Sequence, residues 1–209
     1  MSVPGPSVRY LPPWRIELST RPGVPRLRTL AELARLVATT LRAAGAPAPA
    51  SIAVVLSDDR ELAELNARAM GKTGPTDVLS FPLLEPEAFP PHEGRSAPPA
   101  GRRARTGAGR PAAVTPPAFA LPPGTRPHLG DVVVSVERAV EQAAQGRGGQ
   151  TGTLTWSGAD ELALLVVHGV LHVCGWDHAD PLEEAAMRRL ETAILAAPAW
   201  RRARPAGPG

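Results

Sequence analysis

Apolar and polar residues alternate in "WRIEL" (14–18), which predicts a strand. Past Leu27 the period changes. Leu30, Ala31, Ala34, Val37, Ala38 and Leu41 recur at helical spacing until Gly45 ends the run. "SIAVVLSD" (51–58) is short, continuous and β-branched, the pattern of a buried strand. "DDRELAELNARAM" returns to helical spacing, with Asp58 or Asp59 as its cap and Leu62, Leu65 and Ala69 on one face. "TDVLSFPLL" (76–84) and "GDVVVSVE" (130–137) predict two more strands, and "ERAVEQAAQ" a short helix closed by "GRGGQTG". "SGADELALLVVHGVLH" predicts a helix opened by Ser157, with Asp160 three residues on as in a capping box. The last helix, "DPLEEAAMRRLETAILAA", places Pro181 at its first position and ends at Pro198.

Between Pro86 and Pro127 no period survives. The stretch is dominated by Pro, Gly, Ala and Arg and cannot bury enough apolar surface to offset its ordering entropy. The chain is therefore expected to be one domain over residues 1–209, interrupted by a disordered insert at 86–127 and followed by a flexible tail at 199–209. The insert holds Arg102, Arg103, Arg105, Arg110 and Arg126, and the tail holds Arg201, Arg202 and Arg204. Two readings of the insert stay open: an electrostatic grip on RNA, or a tolerated surface insertion. His92 and His128 fall in it or at its edge and are not needed for a metal.

A net charge of +3 in 209 residues is compatible with phosphate-rich partners without requiring them. A single cysteine, Cys174, excludes an internal disulfide and fits a reducing compartment. The first residues lack an apolar run suited to secretion, and the most apolar stretch is too short for a membrane span. A cytoplasmic protein with no membrane partner is expected.

Three of the five histidines fall within "HGVLHVCGWDH" (168–178). His168 and His172 are four apart, one turn apart on one helix face, and Gly175 lets the chain turn back to bring His178 to a third position. Three imidazoles around one ion leave an open coordination position, as in a catalytic zinc site, and neutral imidazole suits zinc better than magnesium or calcium. The bland alternative is two core histidines and a surface one. The spacing is that of metzincin proteases, but Gly169 stands where those enzymes carry a glutamate base, which disfavours peptide hydrolysis.

The same stretch resembles the HGxLHxxGxDH signature of the YbeY family, bacterial endoribonucleases of ribosomal RNA maturation and 30S quality control. "LNARAMGKTGPTDVLSFPLL" (65–84) and "LGDVVVS" (129–135) resemble further family segments in the same order, as do Asp160 and Glu161 ahead of the first histidine. The resemblance spans about Leu27 to Leu195 outside the insert. It implies an α+β fold, a small mixed four-stranded sheet packed by helices with a zinc site on a central helix. It also implies one Zn2+ per chain on His168, His172 and His178, and single-stranded ribosomal RNA as substrate. The implied partners are the small ribosomal subunit, ribosomal proteins and a ribosome-associated GTPase. Two departures stand out: the long insert, and Ala69–Met70 where the family presents an aromatic residue and an arginine. The role of that arginine is not transferred to Met70. Lys72 remains as a candidate phosphate contact, with Arg68 as a weaker one on another helix face.

Asp177, beside His178, is placed either to orient a ligand imidazole or to cap the turn. Glu161, seven residues before His168, either points toward the site or complements its helix N-terminus. Thr76, Asp77 and Ser80 read as structural polar residues, with Asp77 also able to face the cleft, and Asn66 is ambiguous in the same way. Cys174 reads as a small packed apolar residue. The leading expectation is a zinc-dependent endoribonuclease whose general base is not identified. Its alternatives are a non-catalytic ribosome-assembly factor with a structural zinc, and a zinc hydrolase of peptides or small molecules.

Overall fold

Strand β2 (Trp14–Thr20) buries Trp14, Ile16 and Leu18 and turns the intervening residues outward. In the computed structural model, which describes residues 5–95, 126–146 and 156–201, β2 pairs in parallel with β3 (Ala50–Ser57). β3 pairs in parallel with β5 (His128–Ser135). β4 (Val78–Pro82) runs antiparallel to β5 at one edge, and β1 (Ser7–Leu11) antiparallel to β2 at the other. The result is a mixed sheet of order β1-β2-β3-β5-β4 within an α+β fold.

Five strands replace the four expected. β1 escaped the hydrophobic pattern because it is an edge strand whose three central residues are exposed, Tyr10 among them. β5 begins two residues earlier than expected and stops at Ser135. The Ser135 hydroxyl accepts the Arg138 N–H and so starts helix α3 (Val136–Ala144) inside the stretch expected as strand.

The valine run of β5 is apolar on both faces because both are covered. Val132 and Val134 join the main core, whereas Val133 packs with Leu79 and with Leu62 of α2 (Asp59–Met70). The main core is built around α4 (Gly158–Val173), flanked by α1 (Leu30–Ala43), α3 and α5 (Pro181–Ala196). α4 opens with the expected Ser157–Asp160 capping box, and Arg28 ties that end down through Asp160 and the Ala159 carbonyl. Leu162 through Val167 are all buried, so this helix is apolar nearly all round.

Gly169 sits where α4 crosses the sheet. A Cβ added there would lie 2.5 Å from Val132 Cγ1 and 2.8 Å from Val78 Cγ2. The Ser80 hydroxyl donates to the Gly169 carbonyl at 2.9 Å and ties helix to strand at the same point.

Of the expected insert, residues 86–95 fold onto the body: Pro86–Ala88 form a 3-10 turn and Phe89 is buried. Residues 96–125, with the arginines from 102 to 110, lie outside the described residues. The tail expected from 199 begins with α6 (Pro198–Arg201), whose Trp200 is buried under Arg28, 5.0 Å from the guanidinium carbon. Residues 202–209 lie outside the described residues.

Candidate metal centre

His168 and His172 project from the last turns of α4 on the same face, and their rings meet edge-on with centroids 4.5 Å apart. Helix α4 stops at Cys174. Gly175 takes φ 82° and its N–H bonds the His172 carbonyl, which turns the chain back. That turn brings the His178 ring to 5.7 Å from His168 and 5.1 Å from His172, centroid to centroid. One nitrogen from each of the three lies within 4.8 Å of the others, close enough to hold a single ion.

The far sides of the rings decide which nitrogens face inward. His168 Nδ1 is 2.7 Å from Glu191 Oε1 on α5, and His172 Nδ1 is 2.8 Å from the Trp176 carbonyl. Both partners are acceptors, so both Nδ1 atoms carry the hydrogen and both Nε2 atoms present lone pairs. Those two Nε2 atoms stand 2.9 Å apart. Facing lone pairs at that distance repel unless a cation or a proton lies between them. Burial, reinforced by neighbouring His168, lowers the His172 pKa to about 4, so its ring is neutral and able to ligate at neutral pH. Donor type, tautomer and convergence all fit a divalent cation that accepts nitrogen ligands.

The other candidate residues divide clearly. Asp177 accepts the backbone N–H of His178 with its carboxylate, and the carboxylate that reaches one of the three clustered imidazoles is that of Glu191. The sequence offers one signal for Glu191: it interrupts the apolar face formed by Met187 and Ile194 on α5, and it is nearly buried. Glu161 is fully buried and accepts from Trp156 Nε1 at 2.6 Å. Asp77 is engaged structurally by Val78 N–H, Thr76 and Gln142. Asn66, also buried, donates to the Gly74 carbonyl and accepts the Lys72 N–H at its own carbonyl, so it shapes the loop carrying Lys72. Burial pushes the Cys174 thiol up to about 12.

The three histidines open into a cleft of about 740 Å³, lined also by Met70, Lys72, Asp77, Ser80, Leu84 and Trp176. Lys72 thus shares the cleft with the histidines, and Arg68 is not among its lining residues. Among the described residues no helix is long and apolar enough to cross a membrane.

The family profile described as endoribonuclease YbeY matches residues 19–198. An endoribonuclease YbeY from Salinispora tropica is 41% identical over 155 residues, 74% of this chain and 77% of its own. One from Thermobifida fusca is 36% identical over 188 residues, 90% of this chain and 94% of its own. The solution structure of a Thermotoga maritima protein aligns over 92% of this chain and 99% of its own, at 19% identity and a TM-score of 0.45.

Proposed function

The chain belongs to the endoribonuclease YbeY family, and we propose on that premise that it is a zinc-dependent hydrolase cutting single-stranded RNA in 16S rRNA maturation and ribosome quality control. The observation that carries the reading is the convergence of three imidazoles in a cleft that also holds a lysine. Zn2+ held by His168, His172 and His178 would supply Lewis-acid chemistry, activating water and polarising a scissile phosphate. The chain itself supplies the rest. Glu191 and the Trp176 carbonyl hold two imidazoles in orientation, with their Nε2 atoms turned inward. The Lys72 ammonium gives a charged contact for phosphate oxygens that is indifferent to sequence. Leu84, Pro82 and Trp176 give the cleft apolar wall that suits an unstacked base. Action in the cytoplasm, with the small subunit, ribosomal proteins and a ribosome-associated GTPase as partners, belongs to the same proposal.

Purified protein free of contaminating RNase, supplied with Zn2+ and precursor 16S RNA, is expected to cut it. His172→Ala is expected to lose both bound metal and cleavage. Undiminished cleavage by that variant would defeat the proposal.

One observation favours a second reading, a non-catalytic assembly factor in which zinc holds the fold. Met70, at the position of the family's arginine, lines the cleft and is half exposed. Small-subunit binding without cleavage, by both the natural chain and Met70→Arg, would favour this reading. Cleavage by Met70→Arg alone would show a competent scaffold whose natural chain has lost the activity.

A further inference from the structure

The link leaving β4 does more than connect it to β5. Its first residues cross the turn that follows α4. Phe89 is buried, and the nearest atom of its ring would be 3.6 Å from a Cβ placed on Gly175. His92 lies flat on Trp176, with ring centroids 3.8 Å apart and planes 11° from parallel. His92 Nε2 is 2.7 Å from Glu183 Oε1, and the same oxygen accepts the Asp177 N–H at 2.8 Å. Both side chains are nearly enclosed, at 9% and 7% exposure. Gly94 presses on the first turn of α5 so closely that any Cβ would overlap the backbone of Leu182 and Glu183.

We propose that His92 is a positioning residue for the metal centre: by stacking on Trp176 and bonding Glu183, it braces the loop 175–178, which carries one ligand, His178, and orients a second, His172, through the Trp176 carbonyl. The proposal rests on the metal-binding part of the function proposed above. His92 acts through its neighbours, and the loop it braces serves the site twice. The loop places His178, and its Trp176 carbonyl fixes the tautomer of His172. His168 is independent of the brace, because Glu191 on α5 holds it. Without His92, the Trp176 ring loses the partner covering one face and Glu183 loses a buried partner, while α4 keeps its packing. The expected defect is therefore a displaced His178 and a less firmly oriented His172 ring on an intact fold.

The test is Co2+ and Zn2+ titration of the full chain, read by the visible Co2+ spectrum and by competition with a chelator. Alongside it, Tm is measured for the metal-free proteins. His92→Ala is expected to weaken binding about tenfold or more, at the low end of what partners outside the ligand set contribute, and to change the Co2+ band shape. His92→Phe keeps a ring over Trp176 and loses only the bond to Glu183, so a smaller loss is expected. It also serves as the deciding variant if His92→Ala does not fold. Ile52→Val, in the sheet interior, supplies a general loss of stability for comparison. Wild-type affinity and spectrum in the folded His92 variants would overturn the inference alone. An equal loss of affinity in Ile52→Val would overturn it too, by showing mere destabilisation. Failure of the natural chain to bind either ion would instead overturn the metal-binding reading on which it rests.

Discussion

Gly169→Ala adds one methyl group where α4 crosses β4 and β5. Carbon atoms in contact settle near 3.5–4.0 Å, and the added Cβ would stand 2.5 Å from Val132 Cγ1 and 2.8 Å from Val78 Cγ2. Each gap is short by about 1 Å against that optimum. Both obstacles are valines, stiff at χ1, on two hydrogen-bonded strands. The helix has to retreat, and doing so stretches the Ser80–Gly169 bond. Overpacking of this kind costs about 1–3 kcal/mol, against a gain of about 1 kcal/mol for replacing a helical glycine by alanine. The net expectation is a loss of about 1 kcal/mol, which for a chain of this length lowers Tm by about 2–4 °C. Thermal unfolding followed by circular dichroism on the metal-free protein reads it directly. A Tm equal to or above that of the natural chain would mean that helix propensity wins, and that the crossing is looser than the structure has it. The same wall explains why no glutamate follows the first histidine. Gly169→Glu meets the identical Cβ obstruction, adds a carboxylate to bury, and is expected to be several-fold more destabilising than alanine.

Three further expectations follow from the site. The His172 pKa lies below its ordinary 6.5, at about 4, so the folded chain resists protonation there. The associated stability is complete above pH 6.5 and is lost as pH falls toward 4; urea unfolding of metal-free protein across that window should show the loss, and His172→Gln should flatten it. Glu191→Gln removes the charge behind His168 and is expected to weaken Zn2+ binding by about 10–100-fold, as isothermal titration would measure. Cys174, its thiol pushed up to about 12 by burial, is expected not to react with a disulfide reagent at pH 8 until denaturant is added. Prompt reaction of the native protein would show that the turn after α4 opens.

What the chain reveals by pattern and what it withholds differ for physical reasons. The start of α4 was legible because capping is local: Ser157 and Asp160 satisfy each other within four residues. The three histidines were legible because the helix period pairs His168 with His172 and a glycine turn brings His178 back toward them. β1 was not, since an exposed edge strand has no reason to alternate. The order of residues 86–95 was not legible either. Their composition argues against self-sufficient structure, and their partners, Trp176 and the first turn of α5, lie some ninety residues downstream. Glu191 announced itself only as a flaw in an apolar face, and nothing in the sequence says which atom that flaw serves. Lys72 and Arg68 are both cations near one helix end, and only the path of the loop pinned by Asn66 separates the one lining the cleft from the one that does not.

The placement of α4 also divides the ligand set by cooperativity. His168 and His172 ride on a helix walled in by sheet and neighbouring helices, whose amides can exchange with solvent only when the whole domain opens. His178 is exposed, on a loop that can open by itself. Hydrogen exchange should therefore report two unlike members of one site: slow, global exchange at Val167–Leu171, and faster, local exchange around His178.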